Sequence, residues 1–149
     1  MQVRRSVGQL LQDKGSSVWT VSPGATVFDA LGLMADKNVG ALIVTEAGRV
    51  VGIFSERDYA RKVILQGHAS RELAVRDIMT TRLVTVAPEQ GLHDCMELMT
   101  EHRVRHLPVL DQGGALLGVV SIGDVVKAVM AEQSFLIEQL QTYISGGLG

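Results

Sequence analysis

The chain has 149 residues, 46% apolar and only 4% aromatic, so a folded core has to be aliphatic and the composition argues against disorder. Fourteen basic and 16 acidic residues leave a formal charge of −2 with no basic tail or stripe, which argues against non-specific nucleic-acid binding. A single cysteine, Cys95, precludes an internal disulfide, and no apolar run reaches the ~18 residues of a membrane span. Nothing of signal-peptide character follows Met1-Gln2-Val3-Arg4-Arg5, so a soluble cytoplasmic protein is expected.

In chain order, Val7 to Lys14 reads as a short helix and Val18 to Val21 as a strand running into a proline. Val27, Ala30, Leu31 and Met34 fall at i, i+3, i+4 and i+7, one apolar face of a helix. Ala41 to Thr45 is a buried strand, and a Gly-containing turn leads to Val50–Phe54, its hairpin partner. A second helix starts at Ser55 and ends near Gly67. Val75-Arg76-Asp77-Ile78-Met79, in the connector, is the counterpart of the first short helix. The same series then returns: strand Leu83–Val86, a helix with Leu92, Cys95, Met96 and Met99 on its apolar face, strands Leu107–Leu110 and Leu116–Val120, and a helix from Ser121. That last helix continues past Met130 through Phe135, Leu136, Leu140 and Ile144 to the terminal glycines.

The return is a duplication. A shift of 65 residues lays Thr20-Val21-Ser22-Pro23 over Thr85-Val86-Ala87-Pro88, Asp29 over Asp94, Leu33-Met34 over Leu98-Met99, and Val39, Leu42 and Val44 over Val104, Leu107 and Val109. With one extra residue near Gly114, Gly52, Ser55 and Asp58 meet Gly118, Ser121 and Asp124. One copy alone buries too little apolar surface. The expected fold is therefore α+β and sandwich-like: two β-α-β-β-α repeats, 7–67 and 75–131, packed sheet to sheet about a pseudo-two-fold axis over a shared core, with 132–146 a helical extension.

Both strand-to-helix junctions read Gly, two apolar residues, Ser, two variable residues, Asp. Ser-x-x-Asp before an apolar run is first of all a capping box, and an acid at the third helical position suits the helix dipole. A cap does not exclude binding, because a helix start offers free amides to phosphate and a carboxylate can accept from both hydroxyls of a ribose.

Arg103-Val104-Arg105-His106-Leu107-Pro108-Val109-Leu110-Asp111, Gly118-Val119-Val120-Ser121-x-x-Asp124 and Ser55-Glu56-Arg57-Asp58-Tyr59-Ala60-Arg61-Lys62 resemble tandem CBS domains (named for cystathionine β-synthase), a pair also called a Bateman module. The resemblance covers nearly the whole chain, Val7 to Met130, with no catalytic or DNA-binding domain attached, as in stand-alone CBS proteins. It implies two quasi-equivalent clefts, each receiving an adenosyl ligand such as AMP, ADP, ATP, S-adenosylmethionine or NAD. The family's ribose-binding Asp falls on Asp58 and Asp124, its Ser/Thr on Ser55 and Ser121, and a phosphate-contacting position on Arg57, whose counterpart Gly123 makes the clefts unequal. Adenine is expected along Gly15-Ser16-Ser17-Val18 and Thr81-Arg82-Leu83-Val84. Val39-Gly40-Ala41 and Val104-Arg105-His106 should line the same clefts, with Arg105 and His106 positioned for phosphates.

Other candidates carry less. His102 and His106 are four apart, but the chain passes from helix to strand between them, so they should not chelate a metal. Cys95 sits on an apolar face and reads as a buried, inert thiol, and Met34, Met79, Met96 and Met99 read as core. Phosphate-loop and dinucleotide glycine fingerprints are absent from the sequence, and no catalytic base or metal set emerges, so a non-enzyme is expected, without catalytic residues or a catalytic cofactor. The expected function is adenine-nucleotide sensing read out by a regulated partner protein. AMP comes first, because one phosphate suits a site with few cations; NAD(H) follows, because Arg57, Arg105 and His106 together suit a pyrophosphate. The apolar stripe Val129, Leu136, Leu140 and Ile144 needs a cover, either the same chain folded back or a partner subunit, and the resemblance to CBS pairs, which commonly form flat two-fold dimers, implies a homodimer. The rival readings are a ligand-free structural dimerisation module and, behind it, a nucleotide-acting enzyme; neither nucleic acid nor a membrane is an expected partner.

Overall fold

The computed structural model describes residues 5–15 and 18–148. Helix α1 (Val7–Lys14) begins on a capping box, in which the Ser6 hydroxyl accepts from the Gln9 amide and the Gln9 side chain accepts from the Ser6 amide. Strand β1 (Thr20–Val21) lies parallel to β2 (Ala41–Glu46), and β2 forms an antiparallel hairpin with β3 (Arg49–Ser55), in the order β1-β2-β3. Helix α2 (Val27–Lys37) buries Val27, Ala30 and Met34. After β3 come a single α-turn, α3 (Glu56–Tyr59), and a π-helical segment (Ala60–Ile64). The connector holds α4 (Val75–Ile78). The second repeat supplies α5 (Leu92–His102), β4 (His106–Leu110) and β5 (Leu116–Ser121), and ends in α6 (Ile122–Leu148).

The α+β class and the twofold repeat hold, and four expectations about single elements and side chains need correction. The strand expected at Leu83–Val86 reduces to one parallel bridge between Val86 and Val109. In the first repeat the Ile43 amide donates to the Trp19 carbonyl at 3.2 Å. The residue in Ile43's place in the second repeat is Pro108, which has no N–H, so the ladder cannot extend. Second, the helix after Ser55 is not regular: the Leu65 amide reaches the Ala60 carbonyl and the His68 amide that of Val63, both five residues back. Third, α6 runs through Gly146 and Gly147 to Leu148 instead of stopping at the glycines. Fourth, Met96 is 43% exposed and not core.

The buried aliphatics form two clusters, not one shared core, and each cluster takes in the short helix that opens the other repeat. Val7, Leu10 and Leu11 of α1 pack with Leu92, Cys95, Met99, Leu107 and Val120 of the second repeat. Val75 and Ile78 of α4 pack with Val27, Met34, Leu42 and Phe54 of the first. Backbone bonds repeat the exchange: the Val7 and Gly8 amides donate to the carbonyls of Gln90 and Pro88, as those of Val75 and Arg76 donate to Ala25 and Pro23. This explains the matched glycines. A Cβ on Gly52 would stand 2.7 Å from Met79 Sδ, and one on Gly118 would stand 2.8 Å from a methyl of Leu11. Each glycine lets the exchanged helix lie directly on its strand.

Cys95 lies in the second cluster, where burial, with the Asp94 carboxylate adding, pushes its thiol up to about 11. Only thiolate reacts. The native protein should therefore show no reaction with a thiol reagent at pH 8 and one equivalent after unfolding.

A cationic cleft between the two repeats

The strand-to-helix junctions form as capping boxes. At the first, the Ser55 hydroxyl accepts from the Asp58 amide at 3.2 Å, and Asp58 Oδ2 accepts from the Ser55 amide at 3.0 Å. At the second, the corresponding distances for Ser121 and Asp124 are 3.1 and 2.9 Å. Asp58 does more than cap. It is 8% exposed, the one buried charged side chain among the described residues. Its Oδ1 accepts from Thr80 Oγ1 at 3.0 Å and lies 3.2 Å from Lys62 Nζ.

Asp58 stands at the edge of a cavity of about 560 Å³, within the range of small-molecule sites. The cavity is assembled from both repeats: Gly40, Ser55, Arg57 and Asp58 come from the first, and Val104, Arg105 and His106 from the second. Those seven were candidate site residues in the sequence. Thr81 and Leu83 do not line it; Thr80 does, because its backbone pairs with Ile53 and carries its hydroxyl to Asp58. Val18 is half-buried ahead of β1, Val39 packs against the first core, and Ser17, with Ser16, lies outside the described residues. Ser121, Gly123 and Asp124 belong to the quasi-equivalent junction.

Three cations that sequence reasoning did not single out also line the cavity: Arg61, Lys62 and Arg103. Arg61 and Lys62 sit in the π segment, and Lys62 Nζ also donates to the Ile78 carbonyl at 3.0 Å. Arg57, Arg61 and Lys62, at i, i+4 and i+5, were the available signal for a basic face. Arg103 ends α5 in the left-handed conformation (φ 54°), where its twin in α2 is Asn38, a residue that tolerates it better. Its carbonyl accepts from Arg57 at 2.9 Å across the two repeats. The sequence had suggested few cations here; five line the cavity, against the carboxylates Glu56 and Asp58. His102 is a lining residue too, and the left-handed turn at Arg103 takes the chain out of the helix before His106. No group of three or more metal-ligating side chains gathers among the described residues. Burial lowers the His106 imidazole below its ordinary value, the Asp124 carboxylate opposing it.

The second junction is built differently. There Lys14, the last residue of α1, places Nζ 2.6 Å from Asp124 Oδ2 and 2.9 Å from the Val119 carbonyl. Burial raises the Asp124 carboxyl, but the Lys14 hydrogen bond and charge and the Ser121 donors outweigh it and hold it below the ordinary carboxylate value. A carboxylate depressed on folding stabilises above its unfolded pKa, and that stability is lost as pH falls through the folded value. Lys14→Met should therefore cost up to about 1 kcal/mol at neutral pH. In urea titrations the gap to the parent protein should close below pH ~4.

A family model of the CBS domain matches residues 12–64 and again 75–131. The chain belongs to the CBS-domain family. As a whole this CBS protein is similar to the CBS domain-containing protein CBSX3, mitochondrial, of Arabidopsis thaliana, 42% identical over 95% of this chain and 73% of that one. Its fold matches the crystal structure of the CBS-domain protein NE2398 with a TM-score of 0.82 and 43% identity, covering 86% of this chain and 99% of that one. It also matches the CBS domain protein PAE2072 of Pyrobaculum aerophilum, solved in complex with AMP, with a TM-score of 0.72 and 27% identity over 80% and 88% of the two chains. Among the described residues of this CBS protein, no helix is long and apolar enough to cross a membrane.

Proposed function

We propose that the protein senses an adenine nucleotide, which binds in the cleft between its two repeats and biases their arrangement for a partner protein to read. The observation that carries this reading is the cleft: a buried carboxylate at a helix start, fixed by Ser55 and Thr80, facing cations from both repeats. A ribose hydroxyl pair suits the carboxylate and a phosphate suits the cations. AMP, held by PAE2072, supports the ligand class. A ligand that touches both repeats favours the arrangement it fits, and the shift it causes is limited by its difference in affinity for the two states.

The protein binds and does not turn its nucleotide over in this reading, since the cleft's carboxylate is committed to capping and to Lys62. A reducing compartment such as the cytoplasm suits its single buried cysteine. The partner face is the side of α5 and α6 where Met96, Ile122, Val126 and Met130 stand exposed beside an apolar groove of about 500 Å³. It continues along α6 through Leu136, Leu140 and Ile144. A second copy of the chain, packing two-fold on that stripe, is the occupant we favour, and sedimentation at rising concentration checks it.

The test of function is mass spectrometry of small molecules released from protein purified without added nucleotide, followed by titration of the stripped protein. An adenine nucleotide near one equivalent, and its rebinding, is the expected result. Failure of AMP, ADP, ATP and NAD alike to bind would leave an empty dimerisation module.

A further inference from the structure

We infer that the first cleft selects adenosine ligands with two or more phosphates over the monophosphate, with Arg57, Arg61, Arg103 and Arg105 as the selecting residues; this rests on the nucleotide reading above. All four line one cavity, with Arg57, Arg103 and Arg105 at its border with the groove on α5 and α6. Among the described residues, none of the four is ion-paired with a carboxylate, whereas Lys14 and Lys62 both are. Like charges gathered round one hollow repel one another, and an anion placed among them relieves that repulsion. The cleft's own acids cannot do so: Asp58 is held by Ser55, Thr80 and Lys62, which leaves Glu56 alone.

Most of the set is peculiar to this cleft. By the repeat alignment, Arg57, Arg103 and Arg105 correspond to Gly123, Asn38 and Gly40, and only Arg61 has a cationic counterpart, Lys127, so the pseudo-two-fold axis carries one of the four charges to the other junction. The backbone also stores a cost there. Arg103 holds a left-handed conformation that disfavours its side chain, and its carbonyl is the anchor for Arg57. Arg57 and Arg61 come from the helix that begins beside Asp58, and Arg103 and Arg105 flank the entry to β4. A ribose on Asp58 therefore has guanidinium groups from both repeats on its phosphate side. One phosphate cannot meet four guanidiniums; a di- or triphosphate chain can, and guanidinium groups bind phosphate oxygens in pairs.

Calorimetric titration of the stripped, full-length protein with AMP, ADP and ATP in magnesium-free buffer tests this, alongside the Arg61→Gln/Arg105→Gln variant. The expected order is ATP tighter than ADP tighter than AMP, ATP leading AMP by about tenfold or more at low salt and by less as salt screens the arginines. In the variant, ATP and AMP should fall within about threefold of each other, a residue of the tenfold factor. AMP binding as tightly as ATP, or a variant that keeps the ATP advantage, would overturn the selection while leaving the nucleotide reading intact. Binding of none of the three would overturn both. Both arginines are exposed, and matching melting curves establish that the variant is folded.

Discussion

Leu10→Ala and Leu11→Ala together should abolish cooperative folding of the second repeat, although both residues lie at the start of the first. The two side chains are 4% and 6% exposed and sit in the second repeat's cluster with Leu92, Leu107 and Val120. Truncating a buried leucine costs roughly 2–5 kcal/mol, lost transfer energy plus the cavity left behind. Two such losses approach the whole stability of a domain, on the order of 5–15 kcal/mol. The strand side cannot close the gap cheaply, because Leu11 lies directly on Gly118, where no side chain can fill in. Thermal unfolding followed by circular dichroism checks this. A helix that merely decorated the surface would cost under about 1 kcal/mol when trimmed, and a result of that size would contradict the exchange of helices.

Asp58→Ala should weaken nucleotide binding by ~1.5–3 kcal/mol, the scale of a charged hydrogen bond, or roughly ten- to 150-fold. The carboxylate is fixed before any ligand arrives. Ser55 donates to Oδ2 from its amide and its hydroxyl, at 3.0 and 3.1 Å, and Thr80 donates to Oδ1 at 3.0 Å. Such a group costs little to order on binding, and the ribose hydroxyls take the places of the Lys62 and Thr80 donors on Oδ1, so the net gain falls toward the lower end of that range. The same variant removes half of a capping box and should lose about 1 kcal/mol of stability. The two effects separate with Asp58→Asn, which keeps an acceptor for the Ser55 donors but lacks the charge. It should recover most of the stability and little of the affinity, read from melting curves and titration respectively. Equal affinity in all three proteins would remove Asp58 from the site.

Much of this was legible in the sequence because the duplication samples each constraint twice. Gly52 and Gly118, Ser55 and Ser121, Asp58 and Asp124 recur in register, and the structure gives each pair the same local role: close strand contact, cap donor and acceptor, cap carboxylate. What differed between the copies was harder to see. The effect of Pro108 on the ladder required knowing which amide a strand spends on its neighbour, and hydrophobic pattern does not carry that. The π segment after Tyr59 is a choice of hydrogen-bond register that residue type hardly encodes. The exchange of α1 and α4 is a long-range docking, invisible to a window sliding along the chain. The cleft suffered likewise: Arg57, Arg105 and His106 were found by their places in the motif, whereas Arg103 joined only through a left-handed turn and a bond to Arg57 from the other repeat.

A crystal structure of the protein grown with saturating ATP tests the central claim most directly. The ribose hydroxyls should lie within hydrogen-bond distance of the Asp58 carboxylate, with the phosphates among Arg57, Arg61 and Arg105. An empty hollow beside Asp58 under those conditions, or a nucleotide seated elsewhere on the molecule, would contradict it.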